Sequence, residues 1–533
     1  MAPGGAGHRR SQAGLLAGLV VLLAGCGLTS PTPPGQPATP PTPASPSGRP
    51  APVDPGTPGR CGAVPTRADR ELRGMWLATV SNLDFPSRGG LSREQVMAEY
   101  RGWLDLAEQF HHNAIFVQVR PTGDAFWPSA YAPWSQWLTG RLDGADPGWD
   151  PLAEMIAETH ARGLEFHAWF NPFRGAQRAE VGGPGADWEK LPPNHPLRDH
   201  RDWAVIYPKA DEKLSAFYFD PGIPDARRFV QDAILEAVAN YDLDAVHFDD
   251  FFYPYPVDDE DLDDSASFAA YGEGRKADWR RANVDTFVRE MDERIKQVKP
   301  WVKFGISPFG IWKNAKSAGG AGTHGLEAYR AIYADTRKWV REGWVDYIVP
   351  QLYWHIGYDR ADYAALLPWW ADQAKDAGVQ LYIGQADYRV GTGGAWDSPS
   401  ELSKQLALAR EHEVSGFVHF RATSLRADTL GAQTRYRERF YSAPALVPTM
   451  EQLPAAPPPA PQDLTVTPAG DRVELHWQGS PGAAHYAVYR IDGDRANLIG
   501  QVASTSFSGE PGSYCVSALD RSWNEGPASS PAG

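Results

Sequence analysis

The sequence predicts an α/β protein, a (β/α)8 TIM barrel followed by a small all-β sandwich domain. Three observations lead to this prediction. First, short apolar runs alternate eight times with amphipathic helical stretches between about Glu71 and Ala443. Second, several of these runs carry polar residues on one face only, which suits a barrel whose interior opens onto a polar mouth. Third, a proline-rich segment separates this region from short strands of alternating hydrophobicity at residues 461–533.

Each predicted barrel strand is a run of apolar, β-branched and aromatic residues bounded by turn-forming residues. The eight strands are placed near Leu72–Val80, Ala114–Arg120, Leu164–Asn171, Ala245–Asp249, Val302–Ser307, Asp346–Tyr353, Val379–Gln385 and Gly416–Arg421. Helical periodicity between them predicts helices that include Arg93–Phe110, Pro151–Arg162, Asp225–Tyr241, Asp278–Val298, Gly325–Glu342 and Ser400–Glu411. A doubly wound open sheet is the alternative. It is less favoured because no glycine-rich phosphate loop follows the first strand.

The C-terminal part begins with a linker, predicted at residues 446–460 and followed by the sandwich at residues 461–533. The short alternating strands of this second domain resemble those of a fibronectin type III module. The resemblance implies a role in binding or spacing rather than in catalysis. Within the predicted strand 513–519, Tyr514 and Val516 face the core of the module, whereas Cys515 points outward toward whatever packs there.

The first 25 residues have the features of an export signal, because Arg9 and Arg10 precede an apolar stretch at residues 13–24 that is too short to span a membrane. The string Leu23-Ala24-Gly25-Cys26 resembles the lipobox of bacterial lipoproteins. That resemblance implies that Cys26 is lipidated, becomes the mature N-terminus and holds the protein to a membrane of the cell envelope, outside the cytoplasm. The alternative is an ordinary signal with a chance cysteine. Residues 26–60 are rich in Pro, Gly, Ser and Thr and are predicted to form an extended tether.

The barrel domain is predicted at residues 61–445. If Cys26 is lipidated, two cysteines remain, Cys61 and Cys515. An exported protein lies where disulfides persist, so these two can pair. Two unpaired thiols are the equally weighted alternative.

The composition limits the partners of the protein. The formal net charge is −15 and the pI is near 5.4, so the chain offers no basic face and nucleic acid is not an expected partner. No clustered cysteines and no His-Glu-x-x-His string are present, so neither a metal nor another cofactor is expected. Twenty tryptophans suit a cleft that stacks on sugar faces, and six lie in the long predicted loops of the mouth: Trp127, Trp134, Trp137, Trp149, Trp188 and Trp203.

Two carboxylates, Asp249 and Asp250, stand directly after the predicted fourth strand. Asp249 shares a strand face with His247 and points into the barrel, and Asp250 lies where the alternation of the ending strand weakens. Both can therefore line the mouth, where barrel enzymes place their catalytic groups. Two close carboxylates raise the pKa of one of them, as a general acid requires. The alternative is that one of them caps a loop or pairs with Arg120 or Arg421.

The ends of several predicted strands carry strings that are typical of a known family: Gln118-Val-Arg-Pro-Thr-Gly-Asp124, His167-Ala-Trp-Phe-Asn171-Pro-Phe-Arg174, His247-Phe-Asp-Asp250 and Pro350-Gln-Leu-Tyr-Trp354. Together they resemble the glycosyl-hydrolase-like lipoprotein family, whose characterised relative is a divisome-associated glycosidase acting on peptidoglycan strands stripped of stem peptides. The resemblance covers most of residues 70–425. It implies a barrel, a place in the bacterial envelope and cleavage of peptidoglycan glycans. It names no protein partner.

Glycoside hydrolysis needs an acid for the leaving oxygen and a second group that attacks or stabilises the anomeric carbon. Asp249 and Asp250 are the first candidates, and Asp124 is a further candidate for the second carboxylate. The site is also similar to that of chitinase-like barrels, in which the acetamide of the substrate is the nucleophile and a strand-six tyrosine assists. Tyr353 fits that position. This chain departs from the chitinase pattern because its acids are adjacent and neither is Glu.

Further side chains at or near the strand ends are expected to bind or orient the substrate. These are Arg120, Asn171, Arg174, His247, Gln351 and Trp354. For His247, a hydrogen-bonded place in the core is the alternative. Two other functions compete with the peptidoglycan glycosidase, namely a glycan-binding scaffold without turnover and a hydrolase of another polysaccharide.

Overall fold

The structure is a computed structural model and describes residues 59–211, 213–258 and 260–533. The predicted signal peptide, the predicted lipidation site Cys26 and the predicted tether up to residue 58 lie outside the described residues. Across the described ranges, no helix combines the length and the apolar character needed to span a bilayer.

Eight parallel strands close into a barrel, as predicted. They are β1 (Leu72–Leu77), β2 (Ala114–Arg120), β3 (Glu165–Phe170), β4 (Ala245–Phe248), β5 (Lys303–Ile306), β6 (Tyr347–Ile348), β7 (Gln380–Gln385) and β8 (Gly416–His419). Each strand pairs with its neighbour in the chain, and β8 closes the barrel against β1. The carboxyl ends of all eight strands therefore meet at one rim, which we call the mouth.

One main helix follows each barrel strand in the described chain. These helices are α1 (Arg93–Gln109), α2 (Pro151–Ala161), α3 (Pro224–Asn240), α4 (Lys276–Val298), α5 (Thr336–Arg341), α6 (Tyr363–Ala374), α7 (Glu401–Glu411) and α8 (Ala432–Phe440). Side-chain capping fixes where at least two of these helices begin. Ser92 and Gln95 form a capping box on α1, and the Asp150 carboxylate accepts from Ala153 N–H at the start of α2.

Shorter elements lie in the connections. They are the helices Gln136–Thr139, Pro196–Asp199, Ser265–Tyr271, Ala328–Ala331 and Ala422–Ala427, and the hairpin Ala204–Tyr207 with Ala216–Phe219. The single helix predicted over Gly325–Glu342 is wrong. It is broken into two pieces around Tyr333, whose φ of 56° is incompatible with a right-handed helix.

Two layers of side chains surround the barrel sheet. Between sheet and helices the packing is apolar and includes Ile115, Val117 and Phe166. The barrel interior is mixed, because aromatic residues alternate there with buried polar ones. The polar members include Gln118, Glu165, His167, Asn171, His247 and Lys303, all of them buried.

The C-terminal region is an all-β sandwich, as predicted. Its strands are β9 (Gln462–Ala469), β10 (Arg472–Gln478), β11 (His485–Asp492), β12 (Arg495–Val502), β13 (Ser506–Gly509), β14 (Ser513–Leu519) and β15 (Glu525–Ala528). Strands β9, β10 and β13 form one sheet, and β12, β11, β14 and β15 lie in the other. Leu475, Trp477, Val488 and Val516 pack between the two sheets.

The N-terminal strands Arg60–Cys61 and Val64–Arg67 belong to the larger sheet of the sandwich, where the second pairs with β12. The predicted barrel domain starting at residue 61 therefore differs from the structure, in which the barrel sheet begins at Leu72. Cys61 and Cys515 are joined by a disulfide. Periodicity could not indicate this pairing, because the two cysteines are 454 residues apart in the chain.

The outward face of the larger sheet covers the amino end of the barrel. The Trp523 indole N–H donates to Glu165 Oε1 over 2.6 Å, and Glu165 is the first residue of β3. Lys303 forms a buried ion pair with the same carboxylate. Residues 446–460, predicted as a linker, contribute buried Leu446 and Met450 to this contact. The sandwich thus closes the end of the barrel opposite the mouth.

Candidate active site

Asp249 and Asp250 lie together at the carboxyl end of β4, and both are buried, with 6% and 5% of their surface exposed. In a continuing strand, adjacent side chains would point to opposite faces. Strand β4 ends at Phe248, however, and the chain bends at Asp250. This early end of the strand allows both carboxyl groups to occupy the mouth.

Asp249 is held by donors to both of its oxygens. The Asn171 side-chain amide donates to Oδ2 over 2.5 Å, and the Phe251 backbone N–H donates to Oδ1 over 3.2 Å. Burial raises the pKa of Asp249, while the nearby Arg174 guanidinium and these donors oppose that rise. The net effect is a raised pKa, but the cation and the donors counteract part of the cost of burying the carboxylate.

A chain of amide hydrogen bonds across three strand ends orients Asn171. Thr79 N–H and Val80 N–H donate to Gln118 Oε1 over 3.0 and 2.9 Å. Gln118 Nε2 then donates to Asn171 Oδ1 over 2.6 Å. Because two backbone donors fix the oxygen of Gln118, its nitrogen must face Asn171, and the nitrogen of Asn171 must face Asp249. Gln118 is thus a positioning residue, which the sequence marked only as a polar position on strand two.

Asp250 has the opposite electrostatic character. Burial and the negative charge of Asp249 raise the pKa of Asp250 to about 7, although hydrogen bonds from Tyr255 and Gln351 oppose the rise. The Tyr255 hydroxyl donates directly to Asp250 Oδ2. The adjacent carboxyl groups therefore differ, since Asp249 gives up its proton first and Asp250 keeps one near neutral pH.

Half-buried aromatic rings continue from this pair along the mouth. We call the residues Phe251, Tyr255, Phe309 and Trp354 the aromatic strip. Successive ring centroids lie 5.4, 6.1 and 5.5 Å apart. Flat apolar faces of this kind suit stacking against sugar rings. Phe251, Tyr255 and Phe309 were absent from the residues predicted for substrate binding, because aromatic residues in loops carry no periodic signal.

Tyr353, Gln351 and Trp354 all follow β6 and lie at the mouth. Tyr353 stacks on Phe420 with centroids 5.8 Å apart. Burial and the charges of neighbouring groups, Asp250 among them, raise the pKa of Tyr353 well above its usual value, so its hydroxyl stays protonated and can donate. Gln351 Nε2 donates to the Ser307 carbonyl over 3.0 Å. These positions agree with the predicted strand-end locations of the three residues.

Asp124 lies in a separate environment. It accepts from Thr122 N–H over 2.9 Å, and burial raises its pKa. It also lines a partly open cavity beside Trp134 and His195. Among the described residues, none of the partners of Asp124 also contacts Asp249 or Asp250. This placement does not support Asp124 as the second carboxylate.

Two predicted substrate-binding residues lie below the mouth, and for them the expectation is wrong. Arg120 has no exposed surface and donates to the carbonyls of Asn171 and Pro172. His247 is equally enclosed, with its ring nitrogens 3.1 Å from Ser307 Oγ and 3.2 Å from Tyr347 Oη. Burial holds the pKa of His247 well below its usual range. A side chain that the protein encloses on all sides cannot contact a glycan, so both residues support the strand ends.

Three of the six tryptophans predicted to line a stacking groove, Trp127, Trp188 and Trp203, instead pack within the long loops. Trp127 is buried and donates to Glu236 over 2.9 Å. Trp188 packs on Phe217, and Trp203 stacks on His200. Composition cannot distinguish rings that pack a loop from rings that bind a ligand. Within the part of the chain that the structure describes, no three His, Cys, Asp or Glu side chains are placed to hold a metal ion.

Comparison with known proteins shows which family the chain belongs to. The profile of a family described as "Glycosyl hydrolase-like 10" matches residues 71–399. The chain is 42% identical over 488 residues to "Glycosyl hydrolase YngK" of Bacillus subtilis (strain 168), a match that covers 87% of this chain and 93% of that protein. It is 38% identical over 389 residues to "Glycosyl hydrolase DigH" of Escherichia coli (strain K12), covering 67% of this chain and 84% of the relative.

Among solved structures, α-L-fucosidase isoenzyme 2 from Paenibacillus thiaminolyticus is 13% identical with a TM-score of 0.44, over 70% of this chain and 50% of that one. This distant likeness supports no functional conclusion. The family profile spans more than half of the sequence, and both relatives are well above the identity at which homology is secure. The chain belongs to the glycosyl hydrolase-like 10 family.

Proposed function

We propose that the protein is a lipid-anchored glycoside hydrolase of the bacterial envelope that cleaves peptidoglycan glycan strands, preferentially those without stem peptides. The observation that carries the catalytic part is the buried pair at the end of β4. One carboxyl group, Asp249, is surrounded by donors, and the other, Asp250, has a pKa of about 7. Glycosidases require this division between a charged and a protonated carboxyl group.

In the proposed reaction, the Asp250 carboxyl transfers its proton to the glycosidic oxygen as the bond from that oxygen to the anomeric carbon breaks. Positive charge then develops on the sugar ring, and the Asp249 carboxylate stabilises it. With an N-acetylated sugar, Asp249 accepts from the acetamide N–H and the Tyr353 hydroxyl donates to the acetamide oxygen, which attacks the anomeric carbon. Asp250, now ionised, takes a proton from the water that completes hydrolysis.

The names of the relatives support glycoside hydrolysis. The choice of peptidoglycan as the substrate rests on the resemblance of the strand-end strings and on the aromatic strip. We expect the detergent-solubilised protein to cleave the peptide-free glycan of amidase-treated sacculi at least about tenfold faster than the glycan of intact sacculi. A tenfold difference in rate corresponds to about 1.4 kcal/mol. Mass spectrometry of the soluble products measures this.

The Asp250→Asn variant is the matched control for contaminating activity. Equal release from treated and intact sacculi contradicts the preference. Binding without release favours the scaffold, and turnover of a different polysaccharide alone favours the other hydrolase.

The anchor is a separate part of the proposal, and it rests on the string that ends in Cys26. We expect the Cys26→Ser variant, expressed in a bacterial host, to move from the membrane fraction to the soluble fraction, because it lacks the thiol that carries lipid. Fractionation and immunoblotting check this, with Cys61→Ser as the control that leaves the lipobox intact. A Cys26→Ser protein that stays with the membranes contradicts the assignment.

A further inference from the structure

Arg174 stands beside the catalytic pair with an unusual set of contacts. It follows β3 by four residues, and 7% of its surface is exposed. Its guanidinium lies over the Phe251 ring, 4.2 Å from the ring centroid. The ring supports the flat face of the cation and leaves its N–H edges available. Arg174 is close enough to Asp249 to affect the ionisation of that carboxyl.

Among the described residues, no side-chain or backbone acceptor lies within hydrogen-bond distance of the Arg174 guanidinium, and no carboxylate lies within ion-pair distance. Its nitrogen atoms are also not among the fully enclosed polar atoms that lack a partner, so they keep accessible surface through which a ligand can be bound. Two other arginines, Arg178 and Arg421, do have such partners. Arg178, four residues later and more exposed, lies 3.8 Å from Glu180, and Arg421 donates to the Leu83 carbonyl.

We infer that Arg174 binds a carboxylate on a sugar of the substrate, one subsite from the reacting bond or at it. A guanidinium edge offers two parallel N–H groups, which match the two oxygens of a carboxylate. The same cation offsets the repulsion that a negative sugar would meet from Asp249. This inference rests on the proposed glycosidase function and specifies the chemistry of its substrate as an acidic glycan.

The acidic group has a natural source in the proposed substrate. In peptidoglycan, the lactyl ether on every second sugar ends in an amide when a stem peptide is attached and in a free carboxylate once the peptide has been removed. Recognition of that carboxylate by Arg174 would give stripped strands an electrostatic advantage besides any steric one. A uronic acid polymer presents the same chemical group, so the two sources must be separated by experiment.

The test compares two forms of one substrate. Amidase-stripped strands are used directly, or after their lactyl carboxylates have been converted to methylamides. We expect wild-type kcat/KM to be about tenfold or more higher on the carboxylate form, the effect of one charge-assisted hydrogen bond. The Arg174→Gln variant should lose that preference, mainly through KM, and Arg174→Lys should retain part of it because the charge remains.

Arg178→Gln is the matched control and should keep the wild-type preference. An equal loss on both substrates in Arg174→Gln would overturn the inference, because Arg174 would then act only through Asp249. A wild-type enzyme that cleaves both forms equally would overturn it as well. Turnover of a uronic acid polymer but of neither peptidoglycan form would instead refute the proposed substrate while keeping the carboxylate contact.

Discussion

Replacing Asp250 with Asn is expected to lower turnover of glycan strands about 10²- to 10⁴-fold, the usual effect of losing a general acid. The amide keeps the shape of the side chain but has no proton of suitable acidity for the leaving oxygen. The contact with Tyr255 can persist, because the amide oxygen can still accept from that hydroxyl. The release of reducing ends from stripped strands measures the loss.

A substrate with an activated leaving group separates this role from a structural one. In a dinitrophenyl glycoside of a stripped oligosaccharide the dinitrophenolate leaves without protonation, so Asp250→Asn should release the first equivalent of dinitrophenolate, in a pre-steady-state burst, at a rate near that of the wild type. On natural strands, wild-type activity should fall as pH rises above about 7, because Asp250 then loses its proton. Asp263→Asn, an exposed partner of Lys209, is the control. Full turnover of natural strands by Asp250→Asn would remove this residue from the mechanism.

The sequence predicts the barrel and the location of the acids because both depend on local patterns. Each barrel strand is a short apolar run with alternating polar positions, and these patterns placed Asp249, Asn171 and Tyr353 at strand ends. The parallel arrangement then brings all strand ends to one rim. Proximity at the mouth therefore follows from topology, without knowledge of any individual contact.

The contacts that organise the site depend on register, which a single sequence does not contain. Gln118 donates to Asn171 at the ends of β2 and β3, and these two strands pair with a shift between Gln118 and Arg120. Next to this irregularity, Arg120 donates to the carbonyls after β3 and does not enter the cleft. Strand alternation alone had placed Gln118 and Arg120 on the same face.

The packing of the sandwich against the barrel could not be predicted from the sequence either. Trp523 and Glu165 are 358 residues apart, yet they share a buried hydrogen bond between the sandwich and the floor of the barrel. The sequence treated the sandwich as a separate module, because its strand pattern is complete by itself. Only the outward direction predicted for Cys515 indicated that something packs on this side of the sandwich. In the structure, Leu446, Met450 and residues at the amino end of the barrel pack on the sheet face that carries Cys515.

Replacing Asp249 with Asn is expected to cost as much activity as the loss of Asp250, or somewhat more, about 10²- to 10⁴-fold. The reason differs, because Asp249 supplies negative charge that stabilises the cationic sugar in the transition state. The dinitrophenyl glycoside develops the same positive charge, so it should not rescue this variant. Thermal unfolding should show a folded protein, since the new amide can still present its oxygen to Asn171.

The Asp249→Asn substitution should also change the ionisation of the adjacent Asp250. The charge of Asp249 is one of the two main causes of the raised pKa of Asp250, so its removal should lower that pKa. The residual activity of Asp249→Asn on natural strands should therefore begin to fall at a lower pH than that of the wild type. A pH profile of kcat/KM measures the shift. An unchanged alkaline limb, or rescue of Asp249→Asn by the activated leaving group, would contradict the division of roles between the two carboxyl groups.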